Sequence, residues 1–511
     1  MALGILVAGC GSSDEAPPSP AGTPQKGGSL TMTLPGDAAS FDPTQTSFVN
    51  VADGSRMAAV YDSLVWTDPS TGSVRPKIAE SLAFERDASI WTLRIRPGVK
   101  FSDGLPYDAA AVKANWVRHQ DMALKSFQIM AVTNIKQLDV EDPLTLKITL
   151  RTPNANFDRI VARNLSYNAS PASLKPDTVG SLRDKPVGAG PFILEQWLPG
   201  DKQVYKRNDT YWQKDKGLPY LDQLVIRVDM DVKRGVDSLG KQSDLMVTVD
   251  PENIVLGRDR GLGVEELRLN GGAMVLFNNL KGPFADPRAR KAMALALSGK
   301  EINETFYSNA GVPAKGIFSS TSPLASIQLA ASENNPAEAQ RLFDEVTANG
   351  TKPLTFTYIA PSAPTTVEVA RFIQQKLSAY RGVTMKVQQV DIPTYIRTVR
   401  QGQDSWSAAV GQQWIEDPEP GIFDMLHSQS PGNSSGYNNP EVDRALEEAR
   451  RSTDPEARRA AYTKVQVHVN KDMPFWVYQE AITAALYTSK VTGLSLYNDG
   501  LIQWDQIGIR K

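Results

Sequence analysis

A single cysteine, Cys10, serves all 511 residues. Without a second thiol there is no disulfide within the chain, no thiolate metal site and no Cys nucleophile in the folded body. Apolar residues make up 41% and charged residues 22%, which is ordinary globular composition. At about 100 to 200 residues per domain the length fits two to four domains. Lys and Arg number 55 against 57 Asp and Glu, so no basic excess exists to neutralise a nucleic-acid backbone, and none is expected as a partner. No run of about 18 uncharged apolar residues occurs, and no spanning helix is expected. His119, His427 and His468 stand in no paired metal-ligand spacing, so neither a metal nor a cofactor is expected.

The cysteine lies in Leu6-Val7-Ala8-Gly9-Cys10-Gly11-Ser12-Ser13, where an apolar run ends in small residues just before the thiol. This resembles the lipobox of bacterial lipoproteins, which implies a diacylglyceryl group on Cys10 and an extracytoplasmic protein anchored to a membrane. Residues 1–9 hold no Lys or Arg and only a short apolar stretch, so the signal reads as truncated. Pro17, Pro18, Pro20 and Pro24 follow among small polar residues, and residues 1–27 together read as a signal remnant and flexible tether.

Beyond the tether, residues 29–34 alternate strictly, with Leu30, Met32 and Leu34 on one face, and predict a half-buried strand. Trp91, Leu93 and Ile95 predict another, and Leu144, Leu146, Ile148 and Leu150 a third. Residues 354–359, 365–377 and 383–390 read as strand, helix and strand, hence a parallel β-α-β unit. Asp286-Pro287, Asn335-Pro336, Asn439-Pro440 and Asp454-Pro455 each pair a capping oxygen with a proline suited to the first helical position.

Several longer segments, taken in order, resemble one family. They are Trp91 to Gly104 with Pro106, Ala110, Val112 and Lys113; Pro186 to Leu194; Asn208 to Trp212; Gly217 to Asp222; Phe277-Asn278 with Pro283-Phe284; Asp286 to Ala292; and Tyr437 to Asp443. Their order and spacing are similar to the oligopeptide, dipeptide and nickel group of solute-binding proteins that serve ABC importers. The resemblance implies a large α/β protein of the two-lobed, three-domain periplasmic-binding type. Lobe I would be discontinuous (28–66, 186–270 and 486–511), a small domain would be inserted at 67–185, and lobe II would span 271–485. Two strands crossing between the lobes would form a hinge over an interlobe cleft, with closure enclosing the solute. Gly188 and Gly190 read as a tight domain crossover. The implied partners are a small-molecule or peptide-like ligand and an ABC permease with its ATPase, the binding protein itself acting as a monomer.

In this family a loop that ends in Asp-Pro supplies central ligand contacts, and here it reads Val410-Gly-Gln-Gln-Trp-Ile-Glu-Asp-Pro-Glu-Pro420. Peptide binders carry an aspartate for the ligand's α-ammonium three places before the Asp of that Asp-Pro; this chain has Trp414. An indole offers a π face and one N–H donor, not a charge. Gln412, Gln413 and Trp414 point to stacking and neutral hydrogen bonds, with Glu416 as a carboxylate entering from a shifted place. Asn278, after the expected crossing strand, and Trp406 complete the candidate ligand contacts.

No catalytic residue is expected, since GxxxxGK[ST], HExxH and GxSxG patterns are absent. One alternative is a secreted hydrolase using Glu416 and Asp417 as paired carboxylates. Another is a chaperone or receptor using the same cleft.

Overall fold

The computed structural model describes residues 22–510 apart from 86, 230, 327–328, 401 and 403–405, so Cys10 and the lipobox lie outside the described residues. The alternating segment forms the strand Ser29–Leu34 with Leu30, Met32 and Leu34 fully buried. It lies between Gln223–Val228 and Leu245–Thr248, parallel to both. The expected β-α-β unit is present as Leu354–Pro361, the helix Pro364–Leu377 and Val383–Val390, with the two strands parallel.

Both sets of strands belong to one ten-stranded mixed sheet. Its order is 383–390, 354–361, 408–415, 263–277, 475–487, 245–248, 29–34, 223–228, 202–207 and 192–198. Two long antiparallel strands, Gly263–Phe277 and Phe475–Tyr487, join its halves. Their pairing shifts between Leu269 and Ala273, where Gly271 (φ 87°) and Gly272 (φ 117°) adopt backbone conformations that L side chains rarely take. A Cβ on Gly272 would stand 2.0 Å from the Gln479 carbonyl oxygen.

Residues 79–150 build a separate four-stranded antiparallel sheet around buried Trp91 and Trp116, covered by the helix Ala109–Gln120. It joins the large sheet through Gly188 and Gly190, which press against the end of the helix Ser55–Tyr61. A Cβ on Gly188 would lie 2.2 Å from the Val60 oxygen, and the Gly190 N–H donates to that oxygen at 2.8 Å. Close approach, not a left-handed turn, requires glycine here.

All four Asp-Pro and Asn-Pro pairs start helices. The side chains of Asp286, Asn335, Asn439 and Asp454 accept from the amides of Arg288, Glu338, Glu441 and Ala457. The same device recurs at Asp250-Pro251 and Asp417-Pro418, the second directly after the candidate loop.

Candidate functional site

The candidate loop leaves the strand Ala408–Ile415, whose neighbour in the sheet is the bulged part of Gly263–Phe277: Gln412 pairs with Ala273, Gln413 with Gly272 and Trp414 with Gly271. Side chains alternate across a strand, so Gln412 and Trp414 share one face while Gln413 shares the other with buried Ile415. Gln412 is exposed, and Gln413 and Trp414 are half-buried.

Glu416 is half-buried and faces a turn from the far end of the chain. Its N–H donates to Asp499 Oδ1 at 2.9 Å, and its Oε2 accepts from the Asp499 N–H at 3.1 Å. Its carbonyl accepts from Asn270 Nδ2 at 3.0 Å. Burial first, then the charge of Asp499, pushes the Glu416 carboxyl up to about 8. Arg163 completes the arrangement, donating from Nε to Asp499 Oδ2 at 2.6 Å and from Nη2 to the Trp414 carbonyl at 2.8 Å. Neither Arg163 nor Asp499 was found from sequence patterns. The Asn498-Asp499-Gly500 run is legible as a turn, but nothing local says what the turn meets.

Asp417 has a different task. Its Oδ1 caps the helix Pro418–Leu426 through the Glu419 N–H and accepts from Arg458 Nη2 at 2.7 Å, and its Oδ2 lies 3.0 Å from Arg159 Nη1. Against burial, which alone would raise it, these two arginines hold the carboxyl below the usual carboxylate value. Asp417 is thus committed to a cap and two ion pairs, while Glu416 is turned onto an amide.

Asn278 and Trp406 are placed together, away from this loop's end. Asn278 is 1% exposed; its Nδ2 donates to the Trp406 carbonyl at 3.0 Å, and its Oδ1 accepts from the Leu280 and Lys281 amides. Trp406 is 5% exposed and packs in the cluster that includes Leu276, Tyr437 and Leu446. Both are positioned as core residues that shape the strand ends.

The histidines are dispersed. His119 is buried in the inserted part with Nδ1 2.7 Å from Ser126 Oγ, and burial pushes it down to about 4; His427 stacks on Phe423, 4.5 Å between ring centroids. Among the described residues no three His, Cys, Asp or Glu side chains gather as metal ligands. A separate groove of about 950 Å³ opens at the sheet edge between Asp37–Ala39, Arg183–Val187 and Ile193–Trp197, remote in the sheet from the Trp414 loop.

The sequence profile of the bacterial extracellular solute-binding proteins, family 5 Middle, matches residues 73–434, and the chain belongs to this family. The glutathione-binding protein GsiB of Salmonella paratyphi A (strain ATCC 9150 / SARB42) is 27% identical over 462 residues, covering 86% of each chain. That of Escherichia coli (strain K12) is 27% identical over 454 residues, 83% of each. Among solved structures, the periplasmic binding protein AgaA of A. tumefaciens R10 in complex with agropinic acid superimposes with a TM-score of 0.81 at 22% identity, covering 95% of this chain and 99% of that one. A dipeptide-binding protein of Pseudoalteromonas sp. SM9913 in complex with Met-Leu gives 0.81 at 20% identity, covering 94% and 100%. The expected two-lobed α/β fold of periplasmic binding proteins is thus the one observed, and the protein is an extracytoplasmic solute-binding protein. No helix among the described residues is long and apolar enough to cross a membrane.

Proposed function

We propose that this chain captures a polar organic or peptide-like solute between its two lobes and delivers it to an ABC permease and its ATPase, working as a monomer tethered through a lipid on Cys10. The observation that carries the reading is the position of the Gln412–Asp417 loop. It meets Asp499, from the end of the chain, and Arg163, from the inserted part, so a solute resting on Trp414 and Gln412 touches segments that are far apart in sequence. The buried clusters support the proposed division into 28–66 with 186–270 and 486–511, an insertion at 67–185, and 271–485. One cluster joins Leu30, Ile226, Leu245 and Ile502, another fills the insertion, and two more occupy the last block; Leu64 and Val65 pack with the insertion, and Tyr167, Ala169 and Leu182 of the insertion pack in the first cluster. The glycine bulge in the strand pair supplies the hinge of this reading.

The proposed ligand class follows from charge. The carboxylates around the loop already have partners: Asp499 has Arg163, and Asp417 has Arg159 and Arg458. Glu416, pushed up to about 8, is largely neutral at pH 7. Among the described residues a free α-ammonium finds no unpaired carboxylate where Trp414 stands, and burying it there costs several kcal/mol, with about tenfold in Kd for each 1.4 kcal/mol. Denaturing mass spectrometry of whatever copurifies identifies the solute, and calorimetry tests its contacts. Trp414→Ala weakens that solute at least tenfold and more than Glu416→Gln does, while unmodified di- and tripeptides bind poorly. Submicromolar binding of a free-amino peptide, lost in Glu416→Gln and kept in Trp414→Ala, contradicts this and restores a carboxylate-centred peptide site. The anchor is tested with a complete signal sequence in a bacterial host: the protein partitions with membranes and Cys10→Ser releases it, whereas unchanged partition of that variant removes the lipid.

A further inference from the structure

Past the candidate loop, the helix Pro418–Leu426 carries a carboxylate with no cation of its own. Among the described residues Asp424 has no ion pair, and its Oδ1 accepts from Ser430 Oγ at 3.4 Å, long for a bond between two oxygens. The two cations whose charge reaches it are committed elsewhere. Arg450 forks onto Glu419 at 2.6 and 3.1 Å and lies 3.2 Å over the Phe423 ring, and Arg163 holds Asp499 at 2.6 Å. Burial first, then the charge of Glu419, pushes the Asp424 carboxyl up to about 7 in spite of both arginines.

The helix turns this group toward the insertion. Gly421 and Asp424 are three residues apart and share a face. A Cβ on Gly421 would stand 3.2 Å from Arg163 Nη1, so that face looks across at the insertion. Along the contact Arg159 meets Asp417, and four residues on in each segment Arg163 meets Gly421. The series then runs out of positive charge, because residues 164–174 contain no Lys or Arg. Arg163 keeps 29% of its side chain exposed and Asp424 is half-buried, so the space between them is open to solvent. With glycine at 421, no side chain fills it.

We propose that Asp424 is a subsite for a positively charged group of the solute, an ammonium or guanidinium that lies over Gly421 and pairs with the carboxylate. This rests on the reading of the Gln412–Asp417 loop as the solute site and extends it: the solute carries a basic group in addition to the part that rests on Trp414. The α-ammonium site of peptide binders is not restored, since that site belongs at position 414, ten residues earlier. Arg163 does not repel the incoming cation strongly, because Asp499 neutralises it. A desolvated carboxyl without a partner is costly to ionise, and the arriving cation supplies the missing charge.

The experiment uses two defined probes, methylguanidinium and its neutral near-isostere methylurea, titrated into the wild type, Asp424→Asn and Asp424→Ser and followed by ligand-observed NMR. The difference between wild type and variant isolates Asp424 from every other carboxylate. The subsite predicts that methylguanidinium binds the wild type at least fivefold more tightly than methylurea, and that each substitution removes that preference, as losing one partly exposed charge partner should. Asp424→Ser is uncharged and smaller, so it carries the comparison if the asparagine variant folds poorly. Equal affinity of methylguanidinium for the wild type and a cooperatively melting variant overturns the subsite. The copurified solute then separates this claim from the loop reading. Weakening by Trp414→Ala with no change in Asp424→Asn removes the subsite and leaves the loop. Weakening of at least fivefold by Asp424→Asn with no change in Trp414→Ala supports the subsite and removes the loop.

Discussion

Glu416 is the residue at which charge, burial and lobe contact coincide. Its carboxyl faces Asp499 and Asp417, with Arg159 the opposing cation and Arg163 reaching it only through Asp499. A carboxyl raised from 4.5 to about 8 in the folded protein binds more protons there than in the unfolded chain. Its contribution to stability is therefore fully present below about pH 4.5 and is lost as pH rises toward about 8. Glu416→Gln keeps an acceptor for the Asp499 N–H and removes the titration. The melting temperature of the wild type relative to this variant should therefore fall steadily from pH 5 to pH 8, and a constant difference would show that Glu416 does not titrate in this range. The sequence marked Glu416 and Trp414 through the Asp-Pro frame of the loop and marked Asn278 and Trp406 as well, and those two turned out to be buried, Asn278 with its side-chain amide bonded to main chain and Trp406 with its indole N–H inside the core. A local pattern reports which residues share a segment, not which face of the strand each occupies relative to a partner hundreds of residues away.

At the scale of elements, legibility followed the physics of each signal. Caps are local, so Asp286, Asn335, Asn439 and Asp454 were readable from two residues each, and alternation exposed Ser29–Leu34 and Thr145–Leu150. The two crossing strands hid. Phe475–Tyr487 is buried at every position, so it has no polar face to alternate, and Gly263–Phe277 is interrupted by its own glycine pair. That pair carries the element-scale prediction. Gly272→Ala puts a Cβ 2.0 Å from the Gln479 oxygen at a φ of 117°, so denaturant unfolding should show a loss of about 1–3 kcal/mol or more. Wild-type stability in this variant would mean that the strand relaxes freely at the bulge.

Across the whole molecule, one sheet runs from the edge strand Phe192–Leu198 to Val383–Val390, and its centre is the strand pair that passes between lobes. Its first half is assembled from segments far apart in the chain, such as Ser29–Leu34 beside Gln223–Val228, which is why composition and periodicity gave the pieces and only the family resemblance gave their order. The same topology brings Arg163, Trp414, Glu416 and Asp499 to one place. It leaves the groove beside Asp37 and Trp197 on the outer edge as the competing location for a solute. Hydrogen exchange of the wild type with and without its copurified solute separates the two directly. Capture between the lobes predicts simultaneous protection of amides in residues 412–417 and 498–500, on opposite sides of the closure. Protection confined to residues 183–199, with both of those segments unchanged, would contradict it.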